Sequence, residues 1–199
     1  EFREDGSVAY KGDFLKGQRH GQGKYYLPGD VLMYEGDFAE NTRHGYGTEF
    51  REDGSKIYQG GFEYSSRDGQ GKIYSADDKI LFEGLFDKGK PQGLGKEYRF
   101  DGSLAYEGIF EKGERTGIGK VFGTGGTKLF EGSFVQGKRE GKGSEFQENG
   151  ALLFRGKFLN DQRNGKGQIF GSDKTIIFEG DFVQGIPQGV GKEFRQDGT

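Results

Sequence analysis

Aromatic residues and glycines recur along the chain every 24 residues, which is the spacing from Tyr10 to Tyr34. Each repeat opens with an aromatic residue, which is followed two positions later by glycine and four positions later by phenylalanine. The opening aromatics are Tyr10, Tyr34, Tyr58, Phe82, Tyr106, Phe130, Phe154 and Phe178. A Gly-x-Gly unit and a third aromatic residue complete every repeat. Alternation of this kind is typical of β-strands, and we predict two strands per repeat, for example over residues 7–14 and 21–26.

Turn-forming pairs separate the predicted strands. Asp-Gly and Asn-Gly favour tight turns because glycine accepts a positive φ angle at little cost. These pairs are Asp5-Gly6, Asp53-Gly54, Asp101-Gly102, Asn149-Gly150 and Asp197-Gly198. Short turns join neighbouring antiparallel strands, and twist accumulates with one hand along such a sheet. The sequence therefore predicts an all-β fold, an elongated, twisted, single-layer antiparallel meander of about 16 strands built from eight stacked β-hairpin repeats, with aromatic rings packed over glycines as its core.

Residues 1–199 are predicted to form one array of eight 24-residue repeats, because no insertion interrupts the period. The chain starts and stops inside a repeat, and we expect it to be a fragment of a longer protein. A second, doubled period is visible just before the third aromatic, where glutamate alternates with tyrosine or an aliphatic residue. These glutamates are Glu1, Glu49, Glu97, Glu145 and Glu193. A pair of hairpins is therefore the predicted building block.

Composition and charge exclude several classes of function. The net charge of −3 argues against nucleic-acid binding, which normally requires a basic surface. The chain contains no cysteine and no stretch of about 20 apolar residues that could span a membrane. Its two histidines, His20 and His44, occupy equivalent positions one repeat apart, and a separation of about 10 Å is too large for a shared metal ion. We predict no catalytic, cofactor or metal site and no small-molecule substrate.

The second repeat carries residues that resemble a known motif. The segments Tyr34-Glu35-Gly36-Asp37-Phe38, Arg43-His44-Gly45-Tyr46-Gly47 and Asp53-Gly54-Ser55 are similar to the MORN repeat, whose pattern is close to Y-E-G-x-W-x-x-G-x-x-H-G-x-G followed by an aromatic residue and D-G. The resemblance covers essentially all of residues 1–199. The chain differs in its longer, 24-residue period, in Phe where Trp is usual, and in keeping the His only at His20 and His44. These differences indicate a divergent branch.

The resemblance to MORN proteins implies a non-enzymatic scaffold or protein-interaction module that presents a long β-sheet surface in a cytoskeletal or ciliary assembly. It also implies two alternatives, a peripheral membrane module that binds anionic phospholipid and the targeting segment of a larger enzyme. We therefore expect a protein partner, with anionic phospholipid as the second candidate ligand, and a cytoplasmic location that is cytoskeletal, ciliary or peripheral to a membrane.

A column of arginines follows the first strand of most repeats and is the first candidate interaction surface. It comprises Arg19, Arg43, Arg67, Arg115, Arg139 and Arg163. We predict that it lines one long edge of the sheet and binds an acidic partner or lipid headgroups; the alternative is an edge that is solvated or paired locally. Recurrent glutamates such as Glu35 and Glu83 are expected to pair with a column of lysines.

An apolar column immediately before the opening aromatic is the second candidate surface. Its larger members are Met33, Ile57, Leu81, Leu129, Leu153 and Ile177. Strict alternation would place this column on the face opposite the opening aromatic. A single-layer sheet cannot cover both of its faces, so the column is predicted to be a docking stripe. The alternative is partial burial by sheet twist and by long neighbouring side chains.

Overall fold

The computed structural model describes residues 1–194, and these residues form two β-strands in each repeat. No helix occurs among them, and the predicted all-β fold of about 16 antiparallel strands is confirmed. The strands are β1 (Tyr10–Leu15), β2 (Gln18–Leu27), β3 (Val31–Ala39), β4 (Thr42–Phe50), β5 (Lys56–Glu63), β6 (Ser66–Tyr74), β7 (Ile80–Asp87), β8 (Lys90–Tyr98), β9 (Leu104–Glu111), β10 (Glu114–Phe122), β11 (Lys128–Val135), β12 (Lys138–Phe146), β13 (Leu152–Leu159), β14 (Gln162–Phe170), β15 (Ile176–Val183) and β16 (Ile186–Glu193).

The strands belong to two compact units. The first unit covers Glu1–Gly102 and contains β1–β8, and the second begins at Ser103 and contains β9–β16. Within each unit, every strand pairs in antiparallel fashion with the strand that follows it in the chain. Each unit is therefore a simple meander, as short turns between successive strands require.

Two kinds of turn alternate along the chain. Inside a repeat the turn has two residues with positive φ, as at Glu40 (49°) and Asn41 (68°), which is the type I′ geometry that suits a twisted hairpin. Between repeats the loop is longer, and the amide of Gly54 donates to the carbonyl oxygen of Arg51 at 3.0 Å. Gly54 has a φ of 86°, so the Asp-Gly pair forms a turn as predicted. The predicted turn at Asp197-Gly198 lies outside the described residues.

The core of each unit is a ladder of aromatic rings on one face of the sheet, which we call the aromatic face. The ring of Tyr34 makes edge-to-face contacts with Phe38 and Phe62, with 5.2 Å between centroids in both pairs. All three side chains are buried. The Tyr34 hydroxyl donates to the carbonyl oxygen of Asp37 at 3.1 Å, so the buried oxygen has a partner. Within each unit, an opening aromatic thus contacts the closing Phe of its own repeat and, where another repeat of that unit follows, the closing Phe of the next one, which links neighbouring hairpins.

Two glycines beneath each opening ring permit this packing. Gly36 and Gly47 stand directly opposite each other on β3 and β4. A Cβ atom on Gly47 would lie 2.2 Å from the Tyr34 hydroxyl oxygen, and a Cβ atom on Gly36 would lie 2.4 Å from the Gly47 Cα. Neither site has room for a side chain, and bare backbone under a large ring is the role that the sequence predicted for these glycine columns.

Candidate interaction surfaces

The arginine column lies over the aromatic ladder. Its members follow the turns inside the repeats, as predicted, but their side chains fold back over the aromatic face rather than lining the edge. Each guanidinium carbon lies between 4.4 and 5.6 Å from the centroid of a ring in the ladder. For example, Arg43 is 5.3 Å from the ring of Phe62, and Arg67 is 4.7 Å from that of Tyr58. The guanidinium groups therefore cover part of the core.

Glutamates bridge these arginines in pairs. Glu49 accepts hydrogen bonds from Arg43 at 2.5 Å and from Arg67 at 2.8 Å. Glu145 does the same in the second unit, with Arg139 at 2.8 Å and Arg163 at 2.6 Å. The two carboxylate side chains are only 14% and 17% exposed. At Glu49 and Glu145, one glutamate therefore serves the arginines of two successive repeats.

The apolar column lies on the aromatic face, so its predicted position on the opposite face is wrong. A β-bulge interrupts the alternation between successive repeats. Tyr25 pairs with Tyr34, but Tyr26 pairs with Leu32, and Met33 is left as the extra residue. A bulge places two residues of one strand opposite one residue of its partner, which shifts the direction of the side chains. Met33 consequently lines the same groove as Tyr34.

Each unit carries a groove where the apolar column and the arginine column meet, and in the first unit the ladder residues Tyr34 and Phe38 also line it. The first groove has a volume of about 430 Å³, and its lining includes Met33, Tyr34, Phe38, Arg43, Glu49 and Ile57. The second has a volume of about 390 Å³, and its lining includes Leu129, Arg139, Glu145, Phe146, Leu153 and Arg163. Six repeat positions line both grooves, and their residues are Met33 and Leu129, Arg43 and Arg139, Glu49 and Glu145, Phe50 and Phe146, Ile57 and Leu153, and Arg67 and Arg163. Leu81 and Ile177, which also belong to the apolar column, line neither groove.

Charged residues on the opposite face form cross-strand pairs. Lys24 lies 2.9 Å from Glu35, and Lys72 lies 3.7 Å from Glu83. These contacts confirm the predicted pairing between the lysine and glutamate columns at these positions. All four side chains are more than 40% exposed, so their contribution to stability is small.

Three absences within residues 1–194 bear on the chemistry of the chain. That segment contains no group of three or more His, Cys, Asp or Glu side chains arranged to hold a metal ion. None of its elements is a helix long and apolar enough to cross a membrane. His44 lies near the ring of Tyr64, with 6.2 Å between the ring centroids. No buried side-chain polar atom in the same segment lacks a hydrogen-bond partner.

Paired hairpins that stack aromatic rings over glycines, and that recur without interruption along the chain, define an all-β repeat protein. The MORN repeat family model matches residues 10–30, 34–56, 58–79, 82–104, 106–127, 130–151, 154–175 and 178–199. The chain belongs to the MORN repeat family. No curated protein gave a significant match to it. MORN repeats commonly mediate interactions with proteins or membranes, and the family is generally non-catalytic.

Proposed function

We propose that this chain is a protein-interaction module whose binding surface is the aromatic face, at the first and second grooves. The observation that supports this proposal is the recurrence of one groove, built from the same repeat positions, in both units. Met33 and Ile57 are partly exposed in the first groove. Leaving these apolar residues exposed does not contribute to the stability of the chain.

The lining of the first groove defines the chemistry of the segment that it would bind. Met33 and Ile57 offer apolar contacts, and Arg43 stands beside them with its position already fixed by Glu49 and by the carbonyl oxygen of Ser65 at 2.8 Å. Interface cores are enriched in aromatic residues, Met and Arg, and an arginine that is already ordered loses little entropy when it binds. A helix or extended segment with apolar anchors fits this groove.

The arginine column supports a protein partner more than a membrane. At least five of its six members already contact glutamates: Arg19 with Glu1, Arg43 and Arg67 with Glu49, and Arg139 and Arg163 with Glu145. These ion pairs reduce the positive charge that the aromatic face offers to anionic headgroups. We therefore keep phospholipid binding as the competing hypothesis. A cytoskeletal or ciliary assembly is the setting that the family resemblance implies for a scaffold of this kind.

Affinity capture with matched variants tests the proposal. The immobilised chain is used to capture proteins from a cell extract, and wild type is compared with Ile57→Ser and Leu153→Ser, which make the two grooves polar. Gln70→Ser is the control, because Gln70 is exposed on the opposite face. We expect a partner whose affinity falls about tenfold or more with the groove variants and is unchanged with the control.

Two outcomes would contradict the proposal. The first is a partner that binds both groove variants with wild-type affinity, provided that their denaturation midpoints show them to be folded. The second is co-sedimentation with vesicles that contain phosphatidylserine, but not with neutral vesicles, together with loss of that binding in Arg43→Gln and no protein partner. That result would favour the membrane hypothesis.

A further inference from the structure

Four basic residues gather on the opposite face of the second unit, and we call them the basic cluster. They are Lys142 on β12, Arg155 and Lys157 on β13, and Lys166 on β14. Arg155 and Lys157 alternate along β13 with the buried Phe154 and Phe158 of the ladder, which places the cluster on the face away from the grooves. The four side chains are exposed and line a shallow groove of about 410 Å³ together with Gly143, Ser144 and Gly156. No acidic side chain lines it.

Within residues 1–194, no salt bridge neutralises the basic cluster, although Asp181 stands opposite Lys166 across β14 and β15. None of the four side chains forms an ion pair with any residue in the described part of the chain. Lys142 and Lys157 are direct partners across β12 and β13, and like charges in that position destabilise a sheet. Nearby Lys128, by contrast, pairs with Glu131 at 2.5 Å.

The fold does not require lysine at these positions. The pair equivalent to Lys142 and Lys157 is Gln22 with Asp37 in β2 and β3, and Ile118 with Ser133 in β10 and β11. Like-charged partners also occur at Lys11 with Lys24 and at Glu111 with Glu114, but Lys24 faces Glu35 on its other side. The basic cluster combines such a pair with two further cations, in a chain whose net charge is −3. A cluster that weakens the free protein in this way is stabilised when an anionic group binds between its members.

We propose that the basic cluster binds a short acidic segment of a protein partner. Carboxylates would lie between Lys142 and Lys157 and beside Lys166 and Arg155, within the width of the groove. Ile118, which is 58% exposed, lies two strands from Lys142, at a distance of about 10 Å. It can accept an apolar side chain that precedes or follows the acidic residues. The bound segment would run across the strands.

The surroundings of the basic cluster favour a narrow ligand over a membrane surface. Asp181 stands opposite Lys166 across β14 and β15, and Glu179 stands opposite Gln168. Both acids line the adjoining depression with Arg155 and Lys166. A planar anionic bilayer would approach these carboxylates within the Debye length of about 8–10 Å and be repelled by them, whereas a single peptide can contact the cations alone. This surface is distinct from the first and second grooves, and its test is independent of theirs.

The test uses a fluorescein-labelled peptide of six glutamates flanked by leucines, with fluorescence anisotropy as the measurement. We expect the wild-type chain to bind this peptide, and we expect binding to weaken as NaCl rises from about 50 to about 300 mM. The triple variant Lys142→Gln, Lys157→Gln, Lys166→Gln should lower the affinity by about tenfold or more. The control variant Lys11→Gln, Lys24→Gln removes a pair of lysines that are partners across β1 and β2 on the opposite face of the first unit, and it should bind as wild type does.

The outcomes separate the alternatives. Equal affinity of the triple variant and the control variant would refute the proposal, because binding would then depend on diffuse charge. Binding to phosphatidylserine vesicles without binding to the peptide would refute it in favour of a membrane. The triple variant should remain folded, because neutral Gln removes a like-charge contact. Its denaturation midpoint should equal or exceed that of wild type, and a fall would show that the lysines stabilise the free protein.

Discussion

Truncation of a ladder ring should cost far more inside a unit than at its start. Phe62 is 4% exposed, and its ring lies 5.2 Å from the rings of both Tyr34 and Tyr58. Phe14 occupies the same repeat position, but it is 50% exposed and its ring contacts that of Tyr10 alone. The two phenylalanines therefore form a matched pair for the substitutions Phe62→Ala and Phe14→Ala.

The contacts of each ring set the expected magnitude. Burial of a complete Phe side chain contributes about 1.5–3 kcal/mol, and each edge-to-face pair adds about 0.5–1.5 kcal/mol. With two such pairs, Phe62→Ala should lower the free energy of unfolding by about 3–5 kcal/mol, which is the usual range for a buried Phe. With half the burial and one pair, Phe14→Ala should lower it by about 1–2 kcal/mol.

Urea denaturation followed by tyrosine fluorescence measures both values. Each variant gives a midpoint and an m-value. If the m-values are unchanged, the free energies of unfolding of the two variants can be compared directly. The interpretation rests on coupling between neighbouring repeats. Equal losses for the two variants would refute it, because they would show that the ladder contacts around Phe62 contribute nothing beyond those of an end position.

Three further predictions concern single sites in the first unit. Gly47→Ala should lower the free energy of unfolding by about 1–3 kcal/mol or more, because its Cβ would overlap the Tyr34 ring. Gly125→Ala is the control, because Gly125 lies in open space. Equal midpoints of the two variants in thermal melts would contradict the packing account. Glu49→Ala should destabilise by about 1–3 kcal/mol, because two half-buried arginines lose their partner, and Glu35→Ala should have a much smaller effect in the same denaturation assay. Burial raises the pKa of Tyr34 above its ordinary value, so wild type should lose stability as the pH rises above about 10, where the unfolded side chain ionises and the folded one does not. Tyr34→Phe has no hydroxyl to ionise at this position, so it should lose less stability over the same pH range. A difference in unfolding free energy between wild type and this variant that stays constant from about pH 8 to about pH 11 would contradict the raised pKa of Tyr34.

The sequence by itself determined the fold of the repeat. Aromatic and glycine columns with a constant period fix the strand pairs and their turns, because side-chain alternation and positive φ angles are local properties of the backbone. The fit of each ring over a glycine can also be recognised in the sequence. A glycine that recurs beneath every opening aromatic, as Gly47 does beneath Tyr34, indicates that a ring occupies the space of a side chain.

The face on which the apolar column lies could not be read from alternation. Met33 reaches the aromatic face because a bulge adds one residue to β3, and a bulge is a feature of the hydrogen-bonding register between two strands. The only sequence signal is the pair of adjacent apolar residues, Leu32 and Met33, before Tyr34. Lysine replaces the first member of this pair at Lys56 and Lys128, so the signal is not constant along the chain.

The positions of the charged side chains were decided by the tertiary structure. The doubled period of the glutamates predicted paired hairpins, but it did not show that Glu49 joins Arg43 to Arg67, which comes from the next repeat. Long side chains can reach several partners, and burial and neighbouring strands select among them. The same reason explains why Lys24 is paired while Lys142 is not. Both have a lysine as a cross-strand partner, Lys11 and Lys157, but Lys24 also faces Glu35 on its other side.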